Sequence, residues 1–416
     1  MSHKERPLIS AREHVMQCDI SGFPPGVKLL MWTRFVRWIG WGFGESLIPI
    51  FIFTLSVSYA EAGLINSSYN LVLLCALPVI GALADRMSAK LLVIIALVLY
   101  PFVGIGYFLA GASGLAVYVI LARGLNGLTW AMEGVGVDTY YRRTTNRECL
   151  ASSFGYMDTY TNLAWILAAV AGIFLLEYVP LHYLLLAIAP FSLLALPFAL
   201  RVPKDNIKIR LPALPSLGSY VAAFDEFKRW NIHLHLLAAL VLVMGIISSL
   251  IGFFVPIDAY VEGADLGMVM LLGIVAATPT LFGFSFGKIA DHHNKYVLAA
   301  VTLVVSALIV AGLAAFPFYW YKLVASFLLG VLAELLVVVG KSLVTTLGPV
   351  ETYGLRGSVF ESISTIGKLA APLLIGVSLD VMGFANMSLI TAAIAIVLGL
   401  AFIMLERDFL RGYVKP

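Results

Sequence analysis

Charge is scarce in this 416-residue chain: Asp, Glu, Lys and Arg make up 12% of it, against 61% hydrophobic residues. A soluble domain carries about 25% charged residues, so this chain cannot coat a water-facing surface of its size. Cysteine is scarcer still. Cys18, Cys75 and Cys149 are too few for a disulfide framework, have no zinc-ligand spacing, and read as plain small residues. No metal site and no other cofactor is expected. The net charge of +3 comes without a long Lys/Arg run interleaved with aromatics, which argues against a nucleic-acid partner. The N-terminus also lacks the basic-then-apolar order and cleavage site of a signal peptide. Residues 1–28 read as a polar cytoplasmic tail holding Pro24 and Pro25.

What is present is apolar sequence in long runs. A bilayer-spanning helix takes about 20 apolar residues. Breaks at Gly, Pro and charge clusters divide residues 29–405 into twelve apolar segments, too long and too uniformly apolar for membrane strands. Arg34, Arg37, Arg123, Lys322, Lys341 and Lys368 fall inside segments. All the other basic residues collect on one side of the predicted topology, and the loops on the opposite side hold none. Because Lys and Arg accumulate in cytoplasmic loops, the predicted fold is an all-α polytopic membrane protein with twelve transmembrane helices and both termini cytoplasmic. Its expected place is the plasma (cell inner) membrane.

Residues 201–233 are basic, carry Pro203, Pro212 and Pro215, and read as a cytoplasmic linker. They separate two six-helix halves, 29–200 and 234–405, with a cytoplasmic tail at 406–416. The halves echo one another. Pro49 and Pro256, Gly81 and Gly287, Asp85 and Asp291, and Gly124 and Gly330 recur at one offset to within a residue. Such a repeat predicts a pseudo-symmetric 6+6 architecture with a site at the interface near the membrane midplane.

The stretch Gly81-Ala82-Leu83-Ala84-Asp85-Arg86-Met87-Ser88-Ala89-Lys90 resembles the loop signature G-x-L-x-D-R-x-G-R-K of the major facilitator superfamily, with Ser88 and Ala89 in place of the signature's Gly and Arg. A second, shorter copy runs from Gly287 to Asp291. The segment from Arg123 through Asn126 and Gly127 to Ala131 is similar to that family's R-x-x-Q-G-x-G-x-A. Between residues 151 and 177 there is no Gly-Pro pair of the kind many antiporters of the family carry. The resemblance implies alternating access of two halves around a central cavity, with Gly81, Asp85, Arg86, Lys90, Gly287 and Asp291 in a gating motif. It also implies that Arg86 pairs with an acidic residue at the cytoplasmic end of the fourth span, where Asp138 stands. A solvated loop that merely orients the chain is the plainer alternative.

Ionisable residues inside a span are costly and usually face a cavity or a partner. Glu45 and Arg123 lie at similar predicted depths on helices that line the cavity in the family it resembles, so they are expected to face each other. Pro49 should remove the backbone hydrogen bond to the Glu45 carbonyl. In the tenth and eleventh segments, Lys341 with Glu361 and Glu334 with Lys368 fall at matching depths. Two stacked ion pairs are predicted there, either holding the helices together or meeting substrate. Glu133 and Asp158 also match in depth and, if close, could not both ionise cheaply; either could pair with Arg142 or Arg147 instead. Asn126 completes the candidate cavity set.

Other features have plainer readings. Arg34 and Arg37 are expected to snorkel to the cytoplasm. Trp130 and Trp165 could line the cavity, with core packing the plainer role. Asp258, Glu262 and Asp265 read as an acidic external loop. Gly283-Phe284-Ser285-Phe286-Gly287 matches a hydrolase nucleophile elbow but ends an apolar helix rather than a strand, so no enzyme is expected. The sequence therefore predicts a secondary active transporter of a small organic solute, with protons and the lipid bilayer as its expected partners, working as a monomer and leaning to export by antiport. Uniport, proton symport for uptake, or a non-transporting scaffold or receptor are the alternatives.

Overall fold

The computed structural model is described over residues 20–84, 87–145, 149–205, 221, 224–225, 227–228, 230, 232–282, 286, 289, 294–346 and 353–413. For residues 82, 150–152, 233–234, 341–346, 353–361 and 405–413 the backbone alone is described. Among the described residues all regular structure is helical. In chain order the helices are α1 Pro25–Gly42, α2 Ile48–Thr54, α3 Tyr59–Ala84, α4 Ala89–Ser113, α5 Ala116–Thr144, α6 Leu150–Leu175, α7 Leu181–Leu186 and α8 Ile188–Arg201. After the linker come α9 Ile232–Ser249, α10 Val255–Val261, α11 Leu266–Ala277, α12 Lys295–Ala315, α13 Tyr319–Thr346 and α14 Tyr353–Tyr413.

Local chemistry explains many of the boundaries. Pro25 opens α1, where its missing N–H costs nothing. Asp265 caps α11 by accepting from Met268 N at 2.7 Å, and Asn294 caps α12 through Tyr296 N and Val297 N. Gly114, at φ 71°, closes α4 in the left-handed region. Gly383, at φ 75° and ψ 170°, breaks α14 into two helices. One stop is prepared by a run of glycines: α1 ends at Gly42, a short 3-10 turn spans Glu45–Leu47, and α2 restarts with Pro49 in its first turn. Its counterpart lies between α9 and α10, where a wide π turn spans Leu250–Phe254 and Pro256 sits in the first turn of α10.

Among the described residues, eight helical segments are long and apolar enough to cross a membrane, and one of them, Ser362–Met404, runs for 43 residues across the Gly383 break. Their outer faces carry exposed Phe102, Leu167, Leu194, Leu308 and Val397. Apolar side chains directed outward around a helical bundle are what a lipid solvent selects.

The bundle has a basic end and an acidic end. At the acidic end, the helices before residue 202 meet those after residue 231. The Asp380 carboxylate of α14 accepts from Tyr59 N at 3.0 Å and Ala60 N at 2.9 Å, the first N–H groups of α3. Further along the same crossing, a methyl in place of the Gly63 hydrogen would fall 2.1 Å from Pro372 O. Ser67 Oγ donates to Leu369 O at 2.9 Å, and Asn70 Nδ2 to Lys368 O at 3.0 Å. Gly172 of α6 lies against the Met270 side chain of α11 in the same way.

The basic end is tied differently. Asp205, just after α8, accepts from Ala89 N at 2.9 Å and from Arg143 Nη1 at 2.8 Å, and is also hydrogen-bonded by Ser88 Oγ. Arg143 reaches on to Ala84 O at 2.7 Å, while Lys90 Nζ donates to Leu200 O and Val202 O at 2.7 and 2.6 Å. One carboxylate thus joins the ends of α3, α4, α5 and α8. Cys149, read from sequence as an unbonded small side chain, is disulfide-bonded.

Candidate functional site

The two helix breaks meet at one place. A cavity of about 290 Å3 is walled by Glu45 and Pro49 from the first break and by Ser249, Gly252 and Phe253 from the second, with Arg123 of α5 and Lys368 of α14 also on its surface. An interrupted helix frees backbone groups that only a polar cavity or protein partner can satisfy, so the breaks and the cavity belong together. Asn66, Tyr69 and Asn70, spaced along one face of α3, complete the polar side.

Glu45 and Arg123 therefore share a cavity, as the depth argument required, but do not bond each other. Trp165 Nε1 of α6 donates to Glu45 Oε2 at 2.7 Å. Arg123 Nη2 donates to Asn66 Oδ1 at 2.6 Å, its guanidinium stands 4.7 Å from the Tyr69 ring centroid, and its buried Nε has no hydrogen-bond partner. Each charge is held by a neutral group, which orients it without cancelling it. Asn126 is buried one turn along α5, and its Oδ1 is unpartnered.

A second polar cluster corrects the expected carboxylate dyad. Glu133 is fully buried, but its neighbours are cations: Arg37 Nε lies 2.9 Å and Arg34 Nε 3.4 Å away, and Tyr100 OH donates to Oε2 at 2.8 Å. Arg37 does not snorkel. It is 0% exposed, with its guanidinium 4.8 Å from the Tyr100 ring and 5.9 Å from the Trp130 ring. The expectation failed because depth counting cannot tell which face of α1 points inward. Asp158 is exposed on α6; it and half-buried Asp138 act electrostatically on Arg34. Arg142 is exposed, and Arg147 lies outside the described residues.

The predicted pairs of α13 and α14 fare unevenly. Lys341 and Glu361 have side chains outside those described, whereas Glu334 is half-buried on α13. Lys368 opens onto the cavity and makes no ion pair with Glu334. Of the loop signature, Asp85, Arg86, Gly287 and Asp291 lie outside the described residues. Gly81 sits on α3 with open space at its Cβ position, and Lys90 caps the end of α8. Asp258 and Glu262 are not simply a solvated loop: both hold fully buried Lys322, Asp258 at 2.6 Å.

Sequence reasoning missed Asn66 and Asn70, although the polar run Asn66-Ser67-Ser68 inside an apolar helix was a usable signal. It also ranked core packing above cavity lining for Trp165 and gave no role to Asp205. Nothing local in the sequence announces either contact, since Trp165 lies 120 positions from Glu45, and Asp205 lies 62 positions from Arg143 and 117 from Ser88.

The sequence model of the Major Facilitator Superfamily matches residues 30–331. The chain belongs to this superfamily. It is accordingly a transporter and a multi-pass integral membrane protein. Over 358 residues it is 20% identical to quinolone resistance protein NorA of Staphylococcus aureus (strain MRSA252), covering 85% of this chain and 90% of NorA. Over 395 residues it is 22% identical to multidrug resistance protein 1 of Bacillus subtilis (strain 168), covering 90% of this chain and 94% of that protein. Among solved structures it is similar to the nucleoside transporter NupG, with a TM-score of 0.72 at 16% identity over 91% of this chain and 98% of the other. That last likeness concerns the superfamily fold alone.

Proposed function

We propose that this superfamily member is a proton-coupled secondary active transporter that exports a small organic solute by antiport. The observation that carries the reading is the cavity between the two helix breaks, where Glu45 is held by Trp165 and is not neutralised by an ion pair. A carboxylate so placed is available to a proton or to a cationic group of the solute, and it cannot hold both. Competition for one carboxylate links the two fluxes.

Joined across their breaks, α1 with α2, α7 with α8, α9 with α10, and α11 with the 3-10 turn after it give twelve spans, the two parts of α14 included. On this reading residues 29–200 and 234–405 are the two six-helix halves, both termini face the cytoplasm, and the protein acts as a monomer in the plasma membrane. The acidic-end contacts between Asp380 and α3 then close the outer side, so the cavity is served from the cytoplasm. Asp205, Lys90 and Arg143 hold the cytoplasmic ends of the first half together as it rocks. The names of the relatives, a quinolone and a multidrug resistance protein, support the export direction.

Reconstituted vesicles with an imposed pH gradient provide the test. Wild-type protein accumulates solute against its gradient and dissipates the pH difference, and Glu45→Gln does neither. Gradient-driven accumulation by Glu45→Gln equal to wild type would remove the proton-coupling reading.

A further inference from the structure

The charged groups on the cavity surface are two cations and one anion: Arg123, Lys368 and Glu45. Among the described residues, none of the three is in an ion pair within 4.0 Å. Their local partners are neutral and are spent on them. The Asn66 carbonyl oxygen is taken by Arg123, and the Trp165 N–H by one Glu45 oxygen. The Asn70 amide is directed to a backbone carbonyl. What remains unmatched is charge: Arg123 Nε, the Lys368 ammonium, and the second Glu45 oxygen.

Elsewhere in the molecule the pattern is the opposite. Buried Arg37 and Arg34 are answered by Glu133, and buried Lys322 by Asp258 and Glu262. Among the described residues, the buried cations Arg34, Arg37 and Lys322 are answered by the chain's own carboxylates, and the cations on the cavity surface are not. Glu45 and Arg123 are half-buried and Lys368 is exposed at the cavity surface; a solute that displaces water from them has to supply the counter-charges itself.

We propose that the transported solute is a small zwitterion carrying both an ammonium and a carboxylate. The ammonium meets Glu45, and the carboxylate is shared by Arg123 and Lys368. Asymmetry supports the orientation: two cations suit the two oxygens of one carboxylate, and a planar guanidinium offers it directional hydrogen bonds. The size of the cavity, about 290 Å3, is at the small end of ligand sites and fits a metabolite of amino-acid dimensions. The inference rests on the transport reading only for the word "transported"; the binding chemistry stands apart from it.

The test is equilibrium binding to the purified full-length protein in nanodiscs, read by thermal shift and isothermal titration. The probes are the common α-amino acids, each beside its methyl ester, which is cationic only, and its N-acetyl derivative, which is anionic only. Expected is stabilisation by a subset of the free amino acids, with both matched derivatives at least tenfold weaker. Glu45→Gln and Lys368→Gln should each weaken the zwitterion at least tenfold. In Glu45→Gln the N-acetyl derivative should bind at least as tightly as the free amino acid. The ligand-free melting temperature of each variant reports its folding, and Lys368→Gln, at a cavity-exposed position, carries the test if Glu45→Gln does not fold. Absence of stabilisation by any free amino acid, or equal or better binding of a singly charged derivative to wild type, overturns the proposal. Zwitterion binding without flux would refute the transport reading instead, and flux of singly charged solutes alone would refute this inference while leaving transport intact.

Discussion

Trp165 and Glu45, 120 positions apart, are joined by a 2.7 Å hydrogen bond from the indole N–H to the carboxylate. The bond fixes Glu45 in the gap between α1 and α2, where Pro49 has removed a backbone donor and the chain turns through a 3-10 segment. The indole is itself nearly buried between α6 and α1. A carboxylate positioned by a neutral donor keeps its charge for other partners.

Trp165→Phe deletes that donor and keeps an aromatic ring at the position, though a smaller one. Removing one hydrogen bond to a charged group costs about 1.5–3 kcal/mol. Transport is expected to fall at least tenfold as Glu45 loses its orientation. Because both changes act through one carboxylate, Trp165→Phe combined with Glu45→Gln should be no worse than Glu45→Gln alone. A double-mutant cycle on initial transport rates checks this, and additive losses would separate the two residues.

Glu133 answers two arginines from full burial, so its loss leaves two cations stranded. Glu133→Gln is expected to destabilise the protein by about 3–5 kcal/mol, the usual result of breaking a buried pair from one side. Replacing Arg37 and Glu133 together by Leu should recover a good part of that loss, with Arg34 left as the residual cost. Melting temperatures of the wild type and the two variants in one detergent decide the matter.

Asp205 gives the basic end a pH dependence of definite sign. Burial pushes its carboxyl upward, but hydrogen bonds from Ser88, Ala89 N–H and Arg143 outweigh this and hold it below the usual carboxylate range. A lowered value means a contribution to stability that is complete above the unfolded-state value of about 3.9 and is lost as pH falls through the folded-state value. Asp205→Asn should therefore be less stable than wild type at pH 6–8, and the difference should shrink only below about pH 4. Melting curves of both proteins across that range test it; a gap that closes already near neutral pH would point to another group.

How far the sequence foretells this arrangement varies with the range of the interaction. Helix stops written in Pro and Gly are legible because they act within a few residues: the Pro49 and Pro256 breaks fall where their spacing predicts. Their convergence on one cavity follows from the repeat. The meeting of Glu45 and Arg123 in that cavity was legible as depth, while their partners were not. Trp165 and Asn66 are chosen by which helix face turns inward, and a count of residues from the membrane edge carries no such information. Arg37 shows the same gap, since length alone lets it snorkel, and only the packing of α1 against Glu133, Tyr100 and Trp130 keeps it inside.

Asp380 holds the N-terminus of α3 across the acidic end, a position where a carboxylate also meets the positive end of a helix dipole. Asp380→Ala should weaken that contact by about 1 kcal/mol, as loss of a cap does. This corresponds to roughly a fivefold rise in the population open at the acidic end. A cysteine introduced at Ser248, on the cavity wall, should then react about fivefold faster with an impermeant thiol reagent added outside intact cells. An unchanged rate would mean that the closure depends on the Gly63 crossing and the Ser67 and Asn70 hydrogen bonds instead.

The most direct test of the central claim is proton release on solute binding. Purified protein in weakly buffered solution with a pH-sensitive dye is mixed with the amino acids that stabilise it, at a pH where wild-type Glu45 is partly protonated. If proton and solute compete for Glu45, wild type releases protons as solute binds, up to one per protein, and Glu45→Gln releases none at matched occupancy. Equal release from Glu45→Gln, or saturable binding to wild type with no release between pH 5 and 8, would contradict the account.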